Sequence, residues 1–296
     1  MTTRSDRGLR RKIFSHSMVV LSGLAIVAVM LPLFWIIYEC VVLGGSHLTL
    51  NYFTQGTPPP CSPISCEAGG GLTMIQGSFI VVALATLYAV PIGIAAAIFA
   101  VEYGGGGALG ALSRALSMAA DVLSGVPSIV IGVFVYVLIL YYDHGIVFSV
   151  TSGSLALGAI MLPIVMRTTE EALRTVPHSV REAALALGMT RWKISLRIVL
   201  ISALPGVLTG ILLAIARAVG EAAPLLLLDN TTLPRFLGFN YPAQSLSLGI
   251  YLWADSPYKN LQNLAWETAL VLLIFVLVLS LTSRLALNRL SRKWKA

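Results

Sequence analysis

The sequence predicts an all-α, polytopic membrane protein with six transmembrane helices. Two observations carry that prediction. Only 11% of the 296 residues are charged and 57% are hydrophobic, where an ordinary soluble domain carries about a quarter charged residues. The few charges also divide the chain into apolar runs of the length, about 20 residues, that an α-helix needs to cross the hydrocarbon of a bilayer. A mean hydropathy of +0.85 agrees.

The runs follow in order. Met18–Tyr38, Ala68–Val101, Val122–Tyr142 and Gly145–Met166 contain no charge; Ile198–Leu228 is interrupted only by Arg217 and Glu221, and Leu264–Ser283 only by Glu267. The first run follows Arg4, Arg7, Arg10, Arg11 and Lys12, which is the layout of a secretory leader. Its apolar stretch exceeds the roughly 7–15 residues of such leaders, and no small-residue cleavage site follows, so it reads as a retained helix.

Orientation follows from the rule that Lys and Arg accumulate on the cytoplasmic side. With the N-terminus inside, 17 of the 20 Lys and Arg residues fall inside. They are the five of the N-terminal tail, Arg114, six between Arg167 and Arg197, and five from Arg284 onward. Only Arg235 and Lys259 fall outside, and Arg217 lies within a span. Both termini are predicted to be cytoplasmic. The net charge of +7 therefore belongs to membrane-flanking segments. No basic stripe with interleaved aromatics marks a nucleic-acid surface. The predicted organisation is a basic cytoplasmic tail (1–17), a first transmembrane helix (18–43), an extracytoplasmic loop (44–72), a main transmembrane unit (73–285) with an inner loop at 176–200, and a second basic cytoplasmic tail (286–296).

Cys40 ends an apolar run and reads as a small hydrophobe. Cys61 and Cys66 share the Pro-rich outer loop, where an oxidising compartment permits a disulfide; two free thiols are the alternative. No set of four metal ligands occurs, so no zinc site is expected. No G-x-x-x-x-G-K-[ST] loop occurs either. If ATP drives this protein, another subunit binds it.

The inner loop is the most informative segment. Ser179 and Glu182 have the spacing of a capping box, after Pro177. Gly188 suits the position just past a helix end, where positive φ is needed. Thr190 is placed to cap a second helix. A short helix, a tight turn and a second helix are predicted. Glu182-Ala183-Ala184, Gly188, Ile198 and Leu200 stand at the spacing of the EAA loop, and in this the chain resembles the permeases of bacterial and archaeal ABC importers. The resemblance implies the type I importer fold. It also implies that Glu182, Ala183, Ala184 and Gly188 form a coupling helix that seats in a partner ATPase. The sequence departs from the pattern after Leu200, where Ile201 replaces the usual proline and Pro205 follows four residues later.

Arg217 and Glu221 occupy the fifth run. A charge at a helix centre costs about 2.5–3.5 kcal/mol on insertion scales, so such residues face protein or water and mark pathways. Four residues apart, they share a helix face, and Pro224 predicts a kink in the outer half. They read either as a self-neutralising ion pair or as a substrate contact. In the second reading the guanidinium grips a tetrahedral oxyanion and the carboxylate accepts a hydrogen bond from the P–OH that phosphate, unlike sulfate, retains near neutral pH. Asp121 and Glu102 read as solvated span ends, and Pro127-Ser128 as a kink or a substrate contact.

The string Arg217-Ala-Val-Gly-Glu221-Ala-Ala-Pro224-Leu-Leu resembles the fifth helix of phosphate permeases of the Pst type, the A-type subunit above its paired C-type. Ala100-Val-Glu102-Tyr103, Ser124-Gly-Val-Pro127-Ser128 and Ile250-Tyr-Leu-Trp253 extend the likeness over roughly 77–285. The resemblance implies a non-catalytic pore subunit of an ATP-driven phosphate importer. Its implied partners are a second, homologous permease of the PstC type, two copies of an ABC ATPase of the PstB type that bind ATP and Mg, and an extracytoplasmic phosphate-binding protein of the PstS type. It also implies a place among the lipids of the cell membrane. The rivals are the same machine carrying sulfate or molybdate, and an ion-coupled secondary transporter. The latter predicts an internal repeat with broken helices in both halves, which is not visible.

Overall fold

The computed structural model describes residues 4–58, 69–142, 147–229 and 237–295. Among these residues every regular element is helical. α1 (Arg4–His47) and the short α2 (Leu50–Thr54) precede α3 (Leu72–Ile98), which continues into a π-helical turn (Phe99–Tyr103). Then come α4 (Gly107–Gly125), α5 (Ser128–Tyr142), α6 (Val150–Arg174) and α7 (His178–Ala186). α8 (Arg191–Ile194) runs through a second π turn (Ser195–Val199) into α9 (Leu200–Gly220), followed by α10 (Ala223–Leu228), α11 (Leu246–Ala254) and α12 (Lys259–Lys295).

Among the described residues five helices are long and apolar enough to cross a membrane, and a sixth crossing results if α4 and α5 are taken together. The expected third span, 122–142, is corrected here. α4 stops at Gly125, α5 starts at Ser128, and their axes differ by 109°. Pro127 is the cause. Its ring disfavours helical backbone at the preceding residue, and Val126 is extended, with φ −74° and ψ 131°.

The fifth run breaks as well. α9 ends at Gly220, and Glu221 has φ −79° and ψ 121°. Pro224 cannot donate to the Gly220 carbonyl, and its ring would strike that carbonyl in a continuous helix. The chain therefore breaks ahead of Pro224, which sits in the first turn of α10. The kink predicted at Pro224 is a full interruption, and Arg217 lies in the last helical turn before it rather than at a helix centre.

α6 is the axis of the bundle. Of its most apolar stretch 67% is buried, against 28% for α3, α9 and α12. Small residues allow this, because without a Cβ or with a short side chain two helix backbones can approach closely. A Cβ on Gly158 would overlap the Tyr88 ring of α3, and one on Gly210 of α9 would overlap Thr168 of α6. The serines at its start are satisfied within a capping box between Ser149 and Ser152. α12 packs against α1, α9 and α11. Two apolar clusters occupy the ends of the bundle. One holds Tyr52, Met74, Leu246 and Trp253. The other holds Ala97, Leu173, Ala184, Ile194 and Val199, at the end that carries α7. α1 differs from the rest, since its most apolar stretch is uncovered by this chain.

Candidate functional site

The first candidate surface is α7 with the turn that follows. Pro177 occupies the N-cap and no side chain caps the helix, so the capping box expected between Ser179 and Glu182 does not form. Proline already fixes φ at the entry, and the helix starts at His178, which leaves Ser179 inside the first turn. The exit is as expected. Gly188 has φ +78°, its N–H donates to Leu185 O, and the Met189 N–H donates to Ala184 O. These two bonds make a Schellman motif. Thr190 holds the N-cap of α8, but its side chain makes no cap bond.

Glu182, Ala183 and Gly188 are exposed, and Ala184 is buried. Around them Leu185, Leu187 and Trp192 are 49%, 83% and 53% exposed. A carboxylate ringed by small and bare apolar side chains on a protruding short helix suits protein contact rather than solvent. Ile201, where the importer pattern has proline, lies in the first turn of α9, just past the π turn at 195–199.

The second candidate is the break after α9. Arg217 Nε and Glu221 Oε1 lie 3.3 Å apart, with side chains 56% and 16% exposed. The pair expected from the sequence is therefore formed. Arg217 lines a cavity of about 40 Å³ with Ser124, Ser128, Ile160 and Pro163, so the break in the fifth run faces the break between α4 and α5. α10 presses directly on α5, and a Cβ on Gly132 would fall 2.7 Å from Pro224 Cα. Glu221 is held from behind, its carbonyl accepting a hydrogen bond from Ser247 Oγ of α11 at 2.8 Å. No local pattern in the sequence singles out Ser247, because 26 residues separate the partners.

Of the two residues read as solvated span ends, Glu102 is corrected and Asp121 is exposed as expected. Glu102 is 11% exposed and is bound by Arg181. Asp121 is 65% exposed but pairs with Arg167, which also binds Glu170; Glu170 in turn pairs with Arg174. Sequence reasoning also passed over Asp229. It is fully buried, one carboxylate oxygen accepts the Ala243 N–H, and the other has no partner among the described residues. Cys61 and Cys66 lie outside the described residues; Cys40 is a buried free thiol. Among the described residues no group of three or more His, Cys, Asp or Glu gathers at metal-ligand distance.

Residues 89–296 match the family described as binding-protein-dependent transport system inner membrane component. The chain is 38% identical over 287 residues to the phosphate transport system permease protein PstA of Haemophilus influenzae, covering 96% of this chain and 97% of that one. It is 44% identical over 246 residues to the protein of the same name from Xylella fastidiosa strain 9a5c, covering 83% of each. Among solved structures it resembles a chain of a bacterial alginate ABC transporter, with TM-score 0.62 and 14% identity over 98% of both chains. It also resembles a chain of the MetNI methionine ABC transporter, with TM-score 0.61 and 18% identity over 73% of this chain and 95% of that one. At these identities the structural likeness concerns the fold alone.

Proposed function

This chain belongs to the family of binding-protein-dependent transport system inner membrane components, and on that premise we propose that it is the permease subunit of an ATP-driven importer of inorganic phosphate. It is a multi-pass protein of the cell membrane. One observation carries the choice of phosphate: relatives matched over nearly their whole length are phosphate transport permeases. The Arg217–Glu221 pair supplies chemistry that suits this cargo. Nε of the guanidinium faces Glu221 at 3.3 Å, and the two terminal nitrogens suit a bidentate grip on phosphate oxygens. Glu221 accepts a hydrogen bond from the P–OH that phosphate retains. Sulfate offers none and would leave a desolvated acceptor unpaired, a penalty of about 1–3 kcal/mol.

The cavity beside Arg217 is water-sized, since a water occupies about 30 Å³ of liquid. The passage for phosphate is completed by the homologous second permease, with the pore between the two chains. An extracytoplasmic phosphate-binding protein delivers the anion. The chain is not catalytic itself. ATP and Mg sit in two copies of a partner ATPase, one of which receives α7 through Glu182, Ala183, Ala184 and the Gly188 turn. Both termini and α7 are cytoplasmic. Nucleotide and phosphate each favour one of two packings of the helices, and the docked α7 joins the two equilibria.

The test is uptake of labelled phosphate by cells lacking this chain and complemented with wild type, Arg217→Ala or Glu182→Lys. Uptake is expected to disappear in both variants, while the ATPase co-purifies with the first and not with the second. Uptake at the wild-type rate in Arg217→Ala would remove the anion path. A wild-type chain that restores sulfate or molybdate uptake instead of phosphate would replace the cargo.

A further inference from the structure

Arg181 stands one residue before the exposed Glu182 and Ala183 of α7, and its side chain points away from them to Glu102. Its Nε and one terminal nitrogen donate to Glu102 Oε1 at 3.0 and 2.8 Å. The same terminal nitrogen donates to Leu173 O at 3.0 Å, and the other donates to Val176 O at 2.6 Å. Four hydrogen bonds thus converge on one guanidinium, with side chains 14% and 11% exposed for Arg181 and Glu102. One planar group with its donors in a fixed fork joins three elements. These are α7, the end of α6 with the link that follows it, and the π turn that ends α3.

The rest of the attachment of α7 is slight. Ala184 is its one buried residue and belongs to the end cluster with Ile194 and Val199; α7 also packs on α8 and the second π turn. Apolar packing resists separation more than sliding or rotation, because dispersion is weakly directional. A charge-assisted fork sets direction as well as distance. Glu102 is also placed to pass a displacement on. It sits in a π turn at the end of α3, and α3 lies along the axial helix α6 through Gly93 against Val165 and Tyr88 against Gly158.

We propose that the Arg181–Glu102 pair is the strut through which a displacement of α7 reaches α3 and α6, so that it couples ATP hydrolysis to transport without touching phosphate or nucleotide. Both are positioning residues. The inference rests on α7 being the ATPase-docking helix. It adds that docking alone is insufficient: without the strut the ATPase binds and turns over while the transmembrane helices do not follow.

The experiment uses the complete transporter in proteoliposomes with the phosphate-binding protein present, and reads ATP hydrolysed and labelled phosphate imported in the same vesicles. Glu102→Gln lies outside α7 and keeps the shape and one acceptor oxygen, so it tests the charge of the strut with the docking face intact. The expected result is an assembled complex that hydrolyses ATP while phosphate moved per ATP falls about tenfold, within the range of coupling between sites. Arg181→Ala, Glu102→Ala and the double variant of the two form a cycle. If the pair acts as a unit, the double variant is no worse than either single one. An assembled Glu102→Gln complex with the wild-type ratio overturns the strut. So does a cycle in which the two losses multiply, and so does a complex that fails to assemble with Glu102→Gln, since the pair then serves folding. Failure of the docking premise shows separately, as an ATPase still bound to Glu182→Lys.

Discussion

Arg217 and Glu221 stand four residues apart, and that spacing alone put both on one helical face and within reach of each other. What the spacing did not contain is that α9 ends between them, so that Glu221 leaves the helix and is held by Ser247 of α11. Selectivity is argued at this scale. Glu221→Gln keeps the shape but turns half of the acceptor into a donor. We expect phosphate uptake to fall and the preference over sulfate to shrink by about tenfold, the equivalent of about 1.4 kcal/mol, as read by competition with unlabelled sulfate. Unchanged competition would reduce the pair to a structural one. Arg181, Glu102 and Asp229 were illegible for a common reason. A charged residue near a span end is usually solvated, and only the partner's position says otherwise. Arg181 and Glu102 are 79 residues apart.

At the scale of elements, the legible features were those carried by a few adjacent residues. The Gly188 turn is one. Its positive φ costs an L-residue with a Cβ roughly 1–2 kcal/mol, and a β-branched one has the least room to adapt. Gly188→Val is expected to lower the melting temperature of the purified chain and to weaken co-purification of the ATPase. Gly188→Asn is expected to retain both, because asparagine tolerates left-handed backbone. Equal behaviour of the two variants would mean that the turn does not set the presentation of α7. The breaks at Pro127 and before Pro224 were legible as disturbances but not in size. Proline says that helical bonding stops. The angle at which the chain resumes is set by what the next segment packs on, here α10 against α5 at Gly132.

For the whole molecule, the uncovered faces say what is missing from it. α1 is bare along its apolar stretch, which suits lipid, and α7 protrudes with Leu187 and Trp192 exposed. A partner that binds only the folded chain raises its stability by mass action, about 2.7 kcal/mol at a hundredfold excess over Kd. Added ATPase is therefore expected to raise the melting temperature of the detergent-solubilised chain, and to leave that of Glu182→Lys unchanged. A rise of equal size in both would place the contact elsewhere than on α7.

The sequence by itself determined that this chain crosses a membrane as helices, roughly where each crossing lies, and that a short helix with a glycine turn projects from the bundle. These are consequences of length, hydropathy and local backbone chemistry, and hydrocarbon leaves a polar backbone few alternatives to the helix. Only the tertiary structure decided which charges meet, that Arg217 lies where two helix breaks face each other, and that Arg181 ties α7 to α3. Those facts depend on the packing of segments far apart in the chain, where one missing Cβ on α6 or a 109° bend sets distances that no stretch of neighbouring residues encodes.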